Sequence, residues 1–151
     1  MKQFMQRLIP GLLMLTLTAC KTTTKQPSSA LRNAGIPWNF KGAIIDGQYS
    51  KTLKNPERFT IEFRNNGIVV GHGIINDFFG QVKYKGEDGI SFSTTFGQTM
   101  HKGSKVEMAR DNYFMELLRS MDRFYIKKNH LYMRSEDGTI ITIFTMPLKS
   151  S

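Results

Sequence analysis

Cysteine is almost absent from this sequence, since Cys20 is the only one among 151 residues. A single cysteine excludes an intramolecular disulfide framework, so the hydrophobic core alone must hold the fold together. It also leaves no second thiolate for a cysteine-rich metal site. The function of this one thiol has to be inferred from its surroundings.

Hydrophobic runs long enough to span a bilayer are absent too. Residues 8–17 are mostly apolar, but about ten residues are too few to cross a hydrocarbon core of about 30 Å. Lys2 and Arg7 precede this run, and the small residues Thr18 and Ala19 follow it. A basic start, a short apolar middle and a small-residue end are typical of a secretory signal peptide. We therefore predict that residues 1–19 are a signal peptide.

The residues around Cys20 indicate a role for the thiol. Positions 17–20 read Leu-Thr-Ala-Cys, which resembles the lipobox of bacterial lipoproteins. The resemblance implies cleavage before Cys20, a thioether-linked diacylglycerol on its sulfur and acylation of its freed amine. The alternative is an ordinary signal peptide with a free thiol, which would be reactive on an exposed segment in an oxidising compartment. Cys20 is thus the predicted lipid anchor, and the membrane is the first predicted partner.

Acidic residues are scarce relative to basic ones, 12 against 21. Without Lys2 and Arg7 the mature chain keeps 19 basic residues and a net charge of +7. The export signal argues against nucleic acid as the partner. Anionic envelope components are expected instead: phospholipid headgroups, lipopolysaccharide or an acidic protein. The alternative is that scattered basic residues only solvate the surface, because no run of four occurs.

The mature chain divides into a tether and one small domain. Residues 20–37 are rich in Thr, Ser, Lys and Pro and poor in large apolar residues. Such a segment cannot bury enough surface to offset the entropy of ordering it. We predict a flexible, lipidated tether at 20–37 and a folded domain at 38–147.

The domain begins as a series of short strands. Apolar residues alternate with polar ones over 59–64, 81–85 and 90–96, which is the period of half-buried strands. Asn65, Asn66 and Gly67 favour a hairpin turn, as do residues 87–89.

A helix and three more strands complete the prediction. Ser104 and Glu107 have the spacing of a capping box, and Phe114, Leu117 and Leu118 follow on one helical face. This predicts a helix over about residues 105–120. Strands are predicted at 123–126, 131–134 and 139–146, the last as a central strand covered on both faces. The fold class is therefore α+β and mainly β, an antiparallel sheet curled toward a small barrel with one packed helix.

Several short motifs, taken in order, resemble the META domain family in its HslJ-like lipoprotein form. They are Trp38, the stretch NDFFG at 76–80, Thr99-Met100, the pattern Asp111-x-x-Phe114-x-x-x-Leu118 and the hairpin at 131–144. The resemblance covers about residues 37–146 and implies a non-catalytic envelope protein. It departs from the family where many members have cysteines, because Ile75 precedes Asn76 and His101 follows Met100. Any function of those cysteines is not carried over. Asn76 and Gly80 are interpreted as shaping a tight turn.

The sequence offers no motif for catalysis. His72, His101 and His130 are isolated and lack metal-ligand spacing, and no nucleophile elbow or phosphate-binding glycine loop occurs. The expectation is a protein that is not an enzyme and has no cofactor or metal.

Two functions remain open. One is an envelope-stress or antibiotic-tolerance lipoprotein; the other is a pilotin-like adaptor that binds an outer-membrane secretion or assembly protein. Lys21 follows the lipidated cysteine, and Asp at that position is what marks inner-membrane retention in enterobacteria. We therefore expect anchoring in the outer membrane, facing the periplasm, rather than in the inner membrane.

Overall fold

The computed structural model describes residues 27–31, 36–50, 53 and 56–147. The predicted signal peptide and lipid anchor, Cys20, lie outside the described residues. The ten strands are β1 Trp38–Ile45, β2 Gln48–Ser50, β3 Thr60–Phe63, β4 Ile68–His72, β5 Asp77–Lys85, β6 Gly89–Phe92, β7 Gly97–Gln98, β8 Met121–Lys127, β9 His130–Ser135 and β10 Ile140–Thr145. Two α-helices, α1 Pro27–Leu31 and α2 Lys105–Arg119, and a single turn of 3-10 helix, Pro56–Arg58, complete the described structure.

Eight of the strands form a closed antiparallel barrel. Their order around the ring is β1, β3, β4, β5, β6, β8, β9 and β10, and β10 pairs back onto β1. The other two strands are not members of the ring: β2 pairs with β1, and β7 pairs with β5. The predicted fold class, mainly β with a sheet curled into a barrel and one packed helix, is confirmed.

The helix α2 begins and ends close to its predicted limits. Ser104 is the N-cap, and the capping box with Glu107 is present in both directions. Phe114 on its buried face lies in edge or tilted contact with Phe40, Phe59, Phe78 and Phe144, at ring centroid distances from 4.7 to 6.3 Å. The helix therefore closes the hydrophobic core of the barrel.

Two strand predictions need correction. Phe96 lies beyond β6, which ends at Phe92, and its ring packs beside Phe78 at 5.7 Å. β10 is central, as predicted, but only its inward residues Thr142 and Phe144 are buried. Its outward residues Ile141 and Ile143 are half exposed, because the barrel wall has one layer on that side.

The helix α1 falls inside the segment predicted to be a tether. Leu31 is buried in the core, and the Trp38 indole Nε1 donates to the Leu31 carbonyl oxygen at 3.4 Å. Ordered structure therefore starts before the predicted domain boundary at residue 38. The sequence did not predict this contact, because a helix of five residues is too short to show a helical periodicity of apolar residues.

Candidate functional site

A buried carboxyl group lies where α2 meets the β4–β5 connection. Asp111 is 4% exposed, and its oxygens accept hydrogen bonds from the backbone amides of Ile74 (2.6 Å), Ile75 (3.3 Å) and Asn76 (3.1 Å). The Asn76 side-chain amide donates to it as well, at 3.4 Å. Gly73 leaves room for the same carboxyl group, because a Cβ at this position would clash with an Asp111 oxygen. These donors tie the β4–β5 connection to α2, which gives Asp111 a structural role.

Asn76 extends this network to the segment before α2. Its side-chain oxygen accepts from the His101 amide at 2.9 Å and from the Thr99 hydroxyl at 3.2 Å. Gly80 lies inside β5, where an added Cβ would come within 2.6 Å of the Phe96 ring. The predicted tight turn is present at Asn76, whose carbonyl oxygen accepts from the Gly73 amide at 2.7 Å and closes the β4–β5 connection. Its side chain, however, bonds across the fold and not to this turn. For Gly80 the prediction is wrong, because this residue lies within β5 and makes room for a ring.

The three histidines do not converge. His72 on β4 pairs with Asp77 on the surface, His101 lies in the loop before α2, and His130 begins β9. Within the described ranges, no group of three His, Cys, Asp or Glu residues could hold a metal ion. None of the helices in these ranges is both long and apolar enough to cross a membrane.

Part of β8 has an open edge beside α1, although the ring of strands is closed. β6 and β8 share only one register pair, Gly89 with Arg123, together with a 2.8 Å bond from the Phe124 amide to the Asp88 carbonyl. Beyond it, among the residues that the structure describes, β8 has no strand partner on this side. A groove of about 500 Å³ follows this edge, lined by Ala30, Glu87, Asp88, Phe124, Tyr125 and Ile126.

The outer surface of β8, β9 and β10 presents a regular grid of side chains, here called the tyrosine face. Its nine outward positions are three rows across the strands: Arg123–Arg134–Ile141, Tyr125–Tyr132–Ile143 and Lys127–His130–Thr145. Tyr125 and Tyr132 stack in the middle row, with ring centroids 4.7 Å apart and an angle of 8° between planes. Tyr125 is 52% exposed. A stacked and accessible aromatic pair is typical of a binding surface.

The charged side chains of the tyrosine face are all positive. It holds three basic residues and no acid among its nine positions. Arg123 and Arg134 lie directly opposite each other, an arrangement that destabilises a sheet. Arg123 is neutralised by Asp88 at 2.9 Å, whereas Arg134 has no ion pair with any described residue. Lys127 and Arg134 thus leave positive charge on this face beside the exposed Tyr125, which favours an anionic partner.

The sequence contains a signal for this face that the prediction did not use. Arg123, Tyr125 and Lys127 alternate with β8's inward residues, and His130, Tyr132 and Arg134 do the same on β9. With the chain reversing at residues 128 and 129, this alternation fixes the register and places the tyrosines opposite each other.

Comparisons with known proteins agree with this fold. The model of the META domain family matches residues 29–147. The NMR structure of a protein from Burkholderia xenovorans is 15% identical with a TM-score of 0.64, and the match covers 93% of this chain and all of that one. The crystal structure of a DUF4847 family protein from Bacteroides vulgatus is also 15% identical, with a TM-score of 0.58 and coverage of 78% and 96%. At these identities the likeness concerns the fold alone.

No protein with a curated description matches the chain significantly. The family model, in contrast, extends over most of its length, from α1 to the end of the barrel. The chain therefore belongs to the META domain family.

Proposed function

We propose that this protein is a lipid-anchored, non-catalytic META-domain protein of the bacterial envelope, which works by binding at its surface. The observation that carries the proposal is the Tyr125–Tyr132 stack within a basic grid, in which Tyr125 is exposed and Tyr132 is half-buried. The buried Asp111, in contrast, is occupied by backbone donors and offers no acid for chemistry. The side chains that could bind a partner therefore lie on the outside of the barrel.

The anchor in this proposal is Cys20. The lipobox-like sequence at 17–20 supports a diacylglycerol thioether on its sulfur. Two or three acyl chains give stable membrane attachment, whereas one chain gives only marginal binding. With Lys21 next to it, the anchor is assigned to the outer membrane on the periplasmic side.

The cellular role proposed is survival of envelope stress or antibiotics. It follows from the META family resemblance and from a basic surface suited to anionic envelope components. A deletion strain should lose viability under heat or antibiotic challenge, and the full chain should restore it. Restoration by Cys20→Ser to the same level would contradict a membrane-bound role.

Fractionation tests the anchor itself. We expect the wild-type protein in washed membranes and Cys20→Ser in the soluble fraction, with equal thermal melting midpoints. Retention of Cys20→Ser in the membranes would contradict lipid anchoring through this residue.

The open edge of β8 favours a second function, a pilotin-like adaptor. An extended segment of an outer-membrane protein could add to this edge as a further strand, with the groove beside α1 receiving its side chains. Crosslinking in intact cells should then capture one dominant outer-membrane protein in stoichiometric amount. Glu87→Lys at the groove should reduce the capture, whereas Glu136→Lys at another exposed turn should not. Equal capture by both variants would exclude this groove.

A further inference from the structure

The tyrosine face combines exposed aromatic rings with unpaired positive charge on one side of the barrel. We infer that this face lies against the anionic phospholipid surface that holds the anchor. The inference rests on the proposed attachment through Cys20. It adds that the domain has a fixed orientation on the membrane instead of turning freely on its tether.

The length of chain before α1 limits how far the domain can move away. Only residues 20–26 separate Cys20 from Pro27, the first residue of α1. Seven residues span at most about 25 Å when fully extended. Such a short connection keeps the barrel at a high effective concentration against the bilayer.

The attachment point also selects the side of the barrel that meets the lipid. Ala30 of α1 borders the same groove as Tyr125 and Ile126 of β8. The helix also contacts β1, because the Trp38 indole Nε1 donates to the Leu31 carbonyl oxygen. The two strands that α1 adjoins, β8 and β1, flank β9 and β10 in the ring, so the chain enters the domain on the side of the tyrosine face.

The chemistry of the face matches a lipid headgroup layer. Tyrosine rings are favoured at the membrane–water interface, since one end of the ring is apolar and the hydroxyl reaches water. Lysine and arginine near an anionic leaflet gain further attraction, and Lys128 in the β8–β9 turn adds to Lys127. β3 and β4, on the far side of the ring, contain no lysine or arginine but include Glu62. The described acids near the face lie in the two turns at its margins and at Asp122. In the β5–β6 turn Asp88 pairs with Arg123, and in the β9–β10 turn Asp137 accepts from Ser135 and Thr139 beside Glu136.

Lysine footprinting tests the orientation with the full mature protein. The protein would be purified from membranes in detergent, then returned to vesicles of phosphatidylethanolamine and phosphatidylglycerol. Acetylation of Lys127 and Lys128 should slow severalfold in the vesicles relative to detergent. Lys102 and Lys105, exposed at the start of α2, should react equally in both and serve as internal controls. Salt at about 1 M, where the screening length is about 3 Å, should restore most of the reactivity.

Substitution of the aromatic pair provides a second readout. Tyr125→Ser with Tyr132→Ser should remove most of the lysine protection in vesicles. Phe79→Ser is the matched control, because Phe79 is also an exposed aromatic residue, at 59%, on the outside of a different strand. Loss of protection in the control alone, or in both variants equally, would overturn the inference.

The outcomes separate the orientation from the anchor. Absence of the wild-type protein from washed membranes would overturn the anchor and the inference together. Membrane retention with Lys127 and Lys128 as reactive as in detergent would overturn the inference alone. Protection in native membranes but not in pure vesicles would assign the tyrosine face to a protein partner instead of lipid.

Discussion

Asp111 accepts hydrogen bonds from three consecutive backbone amides, so its removal would leave buried donors without partners. We expect Asp111→Ala to lower the free energy of unfolding by about 3 kcal/mol, since an unsatisfied buried donor costs about 1–3 kcal/mol. Chemical denaturation followed by circular dichroism measures this change.

The neighbouring Asn112 supplies the control for this measurement. It is exposed on the same turn of α2, so Asn112→Ala should change stability by less than about 0.5 kcal/mol. Equal effects of the two substitutions would show that the loop at 73–76 does not depend on the carboxyl group.

At the scale of single residues, the sequence indicated which positions matter but not their partners. Asn76 and Asp111 are 35 residues apart, and no local pattern brings them together. The tight turn at Asn76 was predicted but the partners of its side chain were not, because an asparagine before a strand looks the same in sequence whether its side chain bonds locally or across the fold. The family pattern around Phe114 marked Asp111 without explaining it.

At the scale of elements, the packing of α2 depends on Phe114. This ring is 1% exposed and lies among four other phenylalanines. We expect Phe114→Ala to cost about 3–5 kcal/mol, the usual range for emptying a buried aromatic site. Val106→Ala, at an exposed position of the same helix, should cost less than about 0.5 kcal/mol. A melting temperature of Phe114→Ala near that of the control would contradict the packing described.

The capping box makes part of the stability of α2 depend on pH. The backbone amide and hydroxyl of Ser104 donate to Glu107 and hold the pKa of its carboxyl group below the ordinary value. A lowered folded-state pKa stabilises the fold above the ordinary value, and this contribution is lost as pH falls through the lowered pKa.

Glu107→Gln tests this linkage. The difference in unfolding free energy between wild type and Glu107→Gln should be largest near pH 7. It should shrink as pH falls from about 5 to 3. Hydrogen bonds from Ser135 and Thr139 also lower the pKa of Asp137. Because both proteins contain Asp137, its contribution to the pH dependence cancels in the difference. A difference independent of pH would exclude the carboxylate as the origin of the effect.

The elements that the sequence predicted correctly are those with local signals. Ser104 and Glu107 defined the start of α2, and Gly67, with its positive φ of 74°, defined the β3–β4 turn. Closure of the barrel, in contrast, requires β1 to pair with β10 about 100 residues later. Hydrophobic alternation shows that such strands exist but not which distant strand each one meets. The short helix α1 was not predicted, because its five residues are too few to show a helical periodicity.

At the scale of the whole molecule, the barrel separates two tasks. Its interior holds the core and the Asp111 network, which maintain the shape. Its exterior carries the tyrosine face, next to the groove that α1 borders. The function proposed here depends on the second of these and on the attachment at Cys20.

Lipid attachment at Cys20 is tested most directly by the intact mass of the protein purified from cell membranes. We expect a chain that begins at Cys20 and carries a diacylglycerol and, on its amine, an acyl group. The same preparation from Cys20→Ser cells should contain no lipidated species. A membrane-bound wild-type protein with an unmodified Cys20, or one that retains residues 1–19, would contradict the account.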